Sequence, residues 1–310
     1  LLNPWEYRKG TLSTAPSEGV SAIQETHMKK INLPTHHHND SMYWDTEEIE
    51  EVIRFPIEGS AEELGSPVHF VAKADLESEE VIEEIREEFL KQGFDYAPIR
   101  PYSYRDYYNV HSNEVSSIDE GQYVGYDRVM FHCINVLTEY PFVMIVHPDK
   151  ASWRIATRAD LNTRIAKEYL YSYYAETARA VSKLIESEYD IQEVQEVYEE
   201  VRNGGSALER WDQASAEDVD LHPVEFMSMA SLKEIVADSE SLRDQFEFSS
   251  KTECREAFDL VEEYRNKTMH GYRTMVLSQD DVIELSRSLE KASEMTIQAG
   301  GDGPGYEIPP

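Results

Sequence analysis

Up to Asn162 the chain alternates short apolar runs with amphipathic stretches, and after it every periodic segment repeats its apolar residues at intervals of three and four. No other feature limits the fold as much. The first part has to set strands beside helices, whereas the second has to bury helical stripes against one another. In "SPVHFVAKADLESEEVIEEIREEFLKQGFDYAPIR" the run Val68 to Ala72 reads as a strand. A helix follows from about Ser78, with Val81, Ile82, Ile85, Phe89 and Leu90 on one face. Gly93 stops that helix and "DYAPIR" opens another strand. "DRVMFHCINVLTEYPFVMIVHPDKASWRIATRADL" repeats the order with a helix, a strand from Phe142 to Val146, a turn at Pro148 and Asp149, and one more strand. Two units of one order imply an internal repeat.

Beyond Asn162 the stripe Ile165, Tyr169, Tyr173, Thr177, Val181 and Leu184 predicts a long helix. A second helix runs from Ile191 to Val201 and is expected to stop at Asn203-Gly204-Gly205, and "EFMSMASLKEIVADS" is a third. Ser250 with Glu253 caps a fourth that ends at Gly271, and Ser278 with Asp281 opens a fifth. The class is therefore α+β. The expected parts are a polar arm over residues 1–45, an α/β module over 46–162, an all-α bundle over 163–298 and a disordered tail over 299–310.

Against 61 acidic residues stand 29 basic ones, 17 Arg and 12 Lys, which leaves a net charge of −32. Acidity with lysine outnumbered by arginine resembles the proteins of extreme halophiles. Such a surface repels nucleic acid in dilute buffer, but at molar salt the Debye length falls to about 3 Å and the repulsion is largely screened. Acidity alone does not exclude RNA. Cys133 and Cys254 lie in apolar-periodic segments, as buried reduced thiols do. No apolar run approaches the roughly 18 residues that span a bilayer, and the amino-terminal stretch lacks a basic region followed by an apolar one. The expected location is the cytoplasm, away from the membrane.

"WRIATRADLN" resembles the closing motif of cystathionine-β-synthase (CBS) domains. There a glycine, two apolar residues and a threonine or serine are followed three residues later by an aspartate. Thr157 and Asp160 take those positions, Arg154 stands where the pattern has glycine, and the first unit has no clear counterpart. The resemblance covers roughly residues 66–162. It implies a CBS-like ligand-sensing module that takes an adenine nucleotide as a regulatory ligand. Thr157 and Asp160 would hold its ribose hydroxyls and Arg154 would meet a phosphate. The residues by themselves allow a second reading, with Asp160 as the cap of the helix that follows.

"SSKTECREAFDLVEEYRNKTMH" resembles the last helix of HEPN proteins (higher eukaryotes and prokaryotes nucleotide-binding). Its signature is an arginine, a polar residue and a histidine four to six residues after the arginine. Arg265, Asn266 and His270 fit it. The resemblance implies a helical bundle that pairs as a homodimer and cleaves RNA without a metal. In that chemistry the histidine moves a proton, the arginine meets the charge of the transition state and the asparagine orients either group. On an ideal helix Arg265 and His270 sit about 140° apart, so they converge only if the helix ends near His270. Arg105 and His111 match the spacing as well, but in a tyrosine-rich stretch without helical periodicity. The residues alone leave another role open for the trio, since cations in a last helical turn also oppose the helix dipole.

Weaker signals remain. His27, His36, His37, His38 and Asp40 lack the spaced second pair of a tetrahedral metal site, so no metal is expected. The tyrosines 169–174 suit a core or dimer interface, whereas Tyr102 to Tyr108 suit packing and base stacking equally. The leading expectation is a nucleotide-responsive regulatory protein whose helical part binds or cleaves RNA. The alternative is a non-enzymatic regulator that docks on ribosomes or a protein partner.

Overall fold

A computed structural model of the chain describes residues 60–301 apart from 101–104, 129, 149–152, 201–203, 218–221 and 271–272. The expected arm with its histidines, and the tail from 302, lie outside the described residues. The architecture is α+β, with two small sheets and a helical carboxy-terminal part.

The helix of the first unit, α2 (Glu79–Gln92), starts after Ser78 and stops at Gly93, whose φ of +79° is the left-handed conformation that favours glycine there. It joins β2 (Val71–Ala72) to β3 (Tyr96–Arg100), which pair in parallel, and β4 (Asp106–Asn109) returns antiparallel to β3. The second unit repeats this. Helix α3 (Met130–Glu139) joins β6 (Tyr123–Gly125) to β7 (Phe142–Val146) in parallel, and β8 (Arg154–Thr157) returns antiparallel to β7.

The remaining strands are exchanged between the units. β5 (Glu114–Ser117), which precedes the second unit, completes the sheet of the first, in the order β2-β3-β4-β5. β1 (Ser66–Pro67), which precedes the first unit, completes the sheet of the second, in the order β1-β8-β7-β6. The internal repeat is thus present in the topology, and a reciprocal exchange ties its halves together. Register makes Tyr96, opposite Asn109, the counterpart of Phe142, opposite Thr157. These two rings pack on each other with centroids 5.0 Å apart, joined by Tyr107 in a small aromatic core between the sheets.

After a 3-10 turn over Arg158–Asn162 the chain is helical: α4 (Arg164–Glu188), α5 (Ile191–Glu200), α6 (Gly204–Ala216), α7 (Met229–Asp238), α8 (Glu240–Gln245), α9 (Lys251–Met269) and α10 (Gln279–Gln298). No described strand follows residue 157. The glycine pair at 204 and 205 opens α6 rather than closing α5. In "SALERWDQ" Ala207 is buried and Leu208 packs against the core, and both are good helix formers, so the glycines weaken only a first turn.

The change of secondary structure falls at Asn162, but the core does not divide there. One apolar cluster runs from Ala61 and Leu64 of α1 (Ala61–Leu64) through Met130, Ile134 and Leu137 of α3 to Phe258 of α9 and Leu285 of α10. All described residues belong to one compact unit, Glu51–Pro310. Polar bonds reinforce the seam: Gln279 Nε2 donates to the Leu137 carbonyl at 2.7 Å and Ser286 Oγ to Asn135 Oδ1 at 2.9 Å. The two units accordingly treat their helices differently. No residue of α2 is fully buried, whereas α3 loses one face to the sheet and the other to α10.

Candidate functional site

Helix α9 opens with Ser250 Oγ accepting the Glu253 N–H at 3.1 Å and buries Cys254, Phe258, Val261 and Tyr264 along one stripe. Arg265 continues that stripe. Its guanidinium Nη1 donates to Asn266 Oδ1 at 3.4 Å, a long bond, while its Nε–H is shielded from solvent and has no hydrogen-bond partner among the described residues. It is the only such side-chain atom among the described residues. The helix ends at Met269, and His270 has left it with φ −95° and ψ +91°. The separation of about 140° that an ideal helix imposes no longer applies to this pair. His270 is half-buried, and its carbonyl accepts the Arg273 N–H at 2.8 Å. Lys267, the other cation of the last turn, pairs with Glu263 at 2.7 Å and lies over the Tyr264 ring.

At the end of β8 the Thr157 N–H and hydroxyl both donate to Asp160 Oδ2, at 2.7 and 3.0 Å. This is a capping box on the 3-10 turn Arg158–Asn162, so Asp160 is not the cap of the long helix, which Thr163 opens by accepting the Ala166 N–H at 3.4 Å. Burial raises the Asp160 carboxyl above its ordinary value, against the hydrogen bonds from Thr157 that lower it. Arg154 is engaged elsewhere: its Nη1 donates to the Gly65 carbonyl at 2.9 Å and so secures the edge strand β1. A Cβ on Gly65 would stand 2.8 Å from Ile145 Cδ1 and 3.0 Å from the Ile155 carbonyl oxygen, so a side chain there would force its neighbours to shift. Arg158 is a cation that the sequence pattern did not single out. Burial, and after it the Asp95 charge, raises the half-buried Tyr96 phenol, and the Arg158 charge draws it back.

The first unit shows why it lacks this motif. Asn109 holds the register position of Thr157, but its Oδ1 accepts the N–H groups of His111 and Ser112 at 3.0 and 3.2 Å and turns the chain into a hairpin. Arg105 and His111 therefore flank a strand rather than end a helix, and His111 bonds Asp95 at 2.7 Å. Tyr107 and Tyr108 are packing residues, while Tyr102 and Tyr104 lie outside the described residues. Tyr169, Tyr173 and Tyr174 line the core, with the Tyr174 hydroxyl on Ser288 Oγ at 3.0 Å. Burial pushes the Cys133 and Cys254 thiols up to about 12, which leaves them inert.

Among the described residues no group of three or more His, Cys, Asp or Glu side chains is placed to hold a metal ion. No described helix is long and apolar enough to cross a membrane. No protein-family model, curated protein or solved structure matches the chain.

Asp160 allows a direct test of the cap. Asp160→Ala removes the acceptor for two donors and is expected to cost about 0.5–2 kcal/mol. Asp160→Asn keeps an acceptor oxygen and removes a half-buried charge. Because the folded carboxyl titrates above the unfolded one, ionised Asp160 counts against the fold at neutral pH, and that penalty fades as pH falls into the ordinary carboxylate range. Asp160→Asn should therefore match or exceed the wild-type stability at neutral pH and lose that advantage on acidification. Thermal midpoints across pH at molar KCl measure both variants.

Proposed function

We propose that this protein is a nucleotide-responsive regulator in which a CBS-like pair of repeats is joined through α4 to a HEPN-like helical part. The regulatory ligand is an adenine nucleotide at Thr157 and Asp160. The helical part binds RNA and cleaves it without a metal at Arg265, Asn266 and His270, and by the same resemblance it works as a homodimer. The parallel β–α–β units with their exchanged strands support the first half of this reading.

The observation that carries the second half is the orphaned Nε–H of Arg265. A buried donor without a partner costs about 1–3 kcal/mol. A cation that serves only the helix dipole has no reason to incur that cost, because its charge acts as well from solvent. A half-buried guanidinium whose Nε–H is shielded beside Asn266, one turn before the residue that leaves the helix, is suited to an anion that arrives later. A phosphate in flight between ribose oxygens is such an anion.

The proton steps fall to His270, which takes the 2′-hydroxyl proton as the 2′-oxygen attacks phosphorus and returns it to the 5′-oxygen as the bond from phosphorus to that oxygen breaks. Arg265 holds the non-bridging oxygens, and the products are a 2′,3′-cyclic phosphate and a free 5′-hydroxyl.

Arg265→Met tests the assignment, because it keeps the length and apolar contacts and removes the unpaired donor. The expected result is a stability gain of about 1 kcal/mol together with loss of RNA binding at molar KCl. A loss of stability with RNA binding intact would show that Arg265 serves the fold alone.

A further inference from the structure

We infer that Asn162 couples the two constellations: its side chain passes a change in the Thr157–Asp160 cap to the segment that follows His270. Asn162 is the last residue of the turn that Asp160 caps, and the Asp160 carbonyl accepts the Thr163 N–H at 3.0 Å and the Thr163 hydroxyl at 2.7 Å. The cap therefore fixes the backbone from which the Asn162 side chain projects.

That side chain acts as a strand partner for residues more than a hundred positions away. Its Oδ1 accepts the N–H groups of Met275 and Val276 at 2.7 and 3.0 Å, and its Nδ2 donates to the Val276 carbonyl at 2.7 Å. Lys167, buried one turn into α4, donates from Nζ to the Arg273 carbonyl at 2.6 Å. The Arg273 N–H in turn bonds the carbonyl of His270. Four side-chain bonds, three from Asn162 and one from Lys167, thus hold Arg273, Met275 and Val276, and all originate within seven residues of Asp160. Met275 and Val276 are themselves buried, so the segment is seated rather than loosely draped. An amide side chain that satisfies both a donor pair and an acceptor of one dipeptide is specific in a way a plain boundary residue is not.

Asn162 is on this account a positioning residue for His270. Its functional consequence rests on the reading above, that Thr157 and Asp160 take a nucleotide and His270 acts on RNA. The coupling itself does not.

Amide hydrogen exchange on the full chain in molar KCl tests it, read at Met275 and Val276 with α7 as an internal reference. Asn162→Ala is expected to speed exchange of both amides about tenfold, because each loses its acceptor. Asp160→Ala should speed the same two amides in the presence of Asn162 and add nothing in Asn162→Ala. Exchange in α7 reports any loss of global stability, and the acceleration at Met275 and Val276 should exceed it in every variant. Should Asp160→Ala unfold the chain, Thr157→Val replaces it, since it removes only the hydroxyl from the cap. Wild-type exchange at Met275 and Val276 in the cap variant would overturn the inference, as would effects that multiply in the double variant. AMP is the added probe. Slower exchange at these amides with AMP in wild type, absent in Asn162→Ala, extends the coupling to the nucleotide. Coupled variants with no response to AMP would count against the nucleotide site and leave the Asn162 coupling standing.

Discussion

His270→Ala is expected to lower cleavage of single-stranded RNA by about 10²- to 10⁴-fold while leaving the thermal midpoint almost unchanged, since the loss is that of a general acid or base. The side chain sits at the exit of α9, outside the regular helix and half-buried, so its removal opens no large core cavity. The assay belongs at molar KCl with EDTA. Salt screens the excess of 61 acidic over 29 basic residues, and the chelator silences contaminating metal nucleases. Cleavage that persists in His270→Ala would place the activity elsewhere. Binding without cleavage by the wild type would instead favour a regulator that docks on RNA or on ribosomes. If the trio only complements the helix dipole, RNA is untouched and substitution costs at most about 1 kcal/mol.

Ile134→Ala should cost about 2–5 kcal/mol and destabilise the helical part as much as the sheets. Ile134 is fully buried in α3, within the same apolar cluster as Phe258 of α9 and Leu285 of α10. Amide exchange in α9 and in β7 should therefore accelerate together. Two cores divided at Asn162 would give the opposite pattern, with α9 keeping its wild-type protection while β7 loses it.

Where a local signal sets an element, the sequence was legible. Gly93 stops α2, Ser250 caps α9 and Ser278 with Asp281 caps α10, because caps and left-handed stops act within a few residues. The strand Phe142–Val146 was legible as a continuous apolar run. The β4–β5 hairpin was not, because its turn rests on Asn109 and on Asn113 at φ +59° inside a stretch rich in tyrosine. Nor was the shared core. The helical stripes show that a face is buried but not which partner covers it, and α3 reads the same whether it packs on its own sheet alone or also on α10.

The candidate sites divide in the same way. The Arg265–Asn266 contact and the Thr157–Asp160 pair follow from neighbours in sequence. The engagement of Arg154 by Gly65, and the reach of Asn162 to Val276, span 89 and 114 positions and leave no local trace. Asn162 marked the boundary between the two periodicities, and nothing in its surroundings announced that its amide would hold the far side of α9.

We propose that the Arg265 Nε–H, unpartnered among the described residues, awaits an RNA phosphate, and its own nitrogen reports on this most directly. In nitrogen-15-labelled protein at molar KCl, the Arg265 Nε–H resonance is followed as a non-cleavable 2′-deoxy-substituted RNA oligonucleotide is added, with Arg265→Met assigning the signal. A saturable shift and slowed exchange of that one proton are expected as it gains an acceptor, with the resonance of Arg255, near the other end of α9 in its pair with Glu234, unmoved. An Arg265 resonance that stays in place while RNA binds, or a protein that binds no RNA at all, would contradict it.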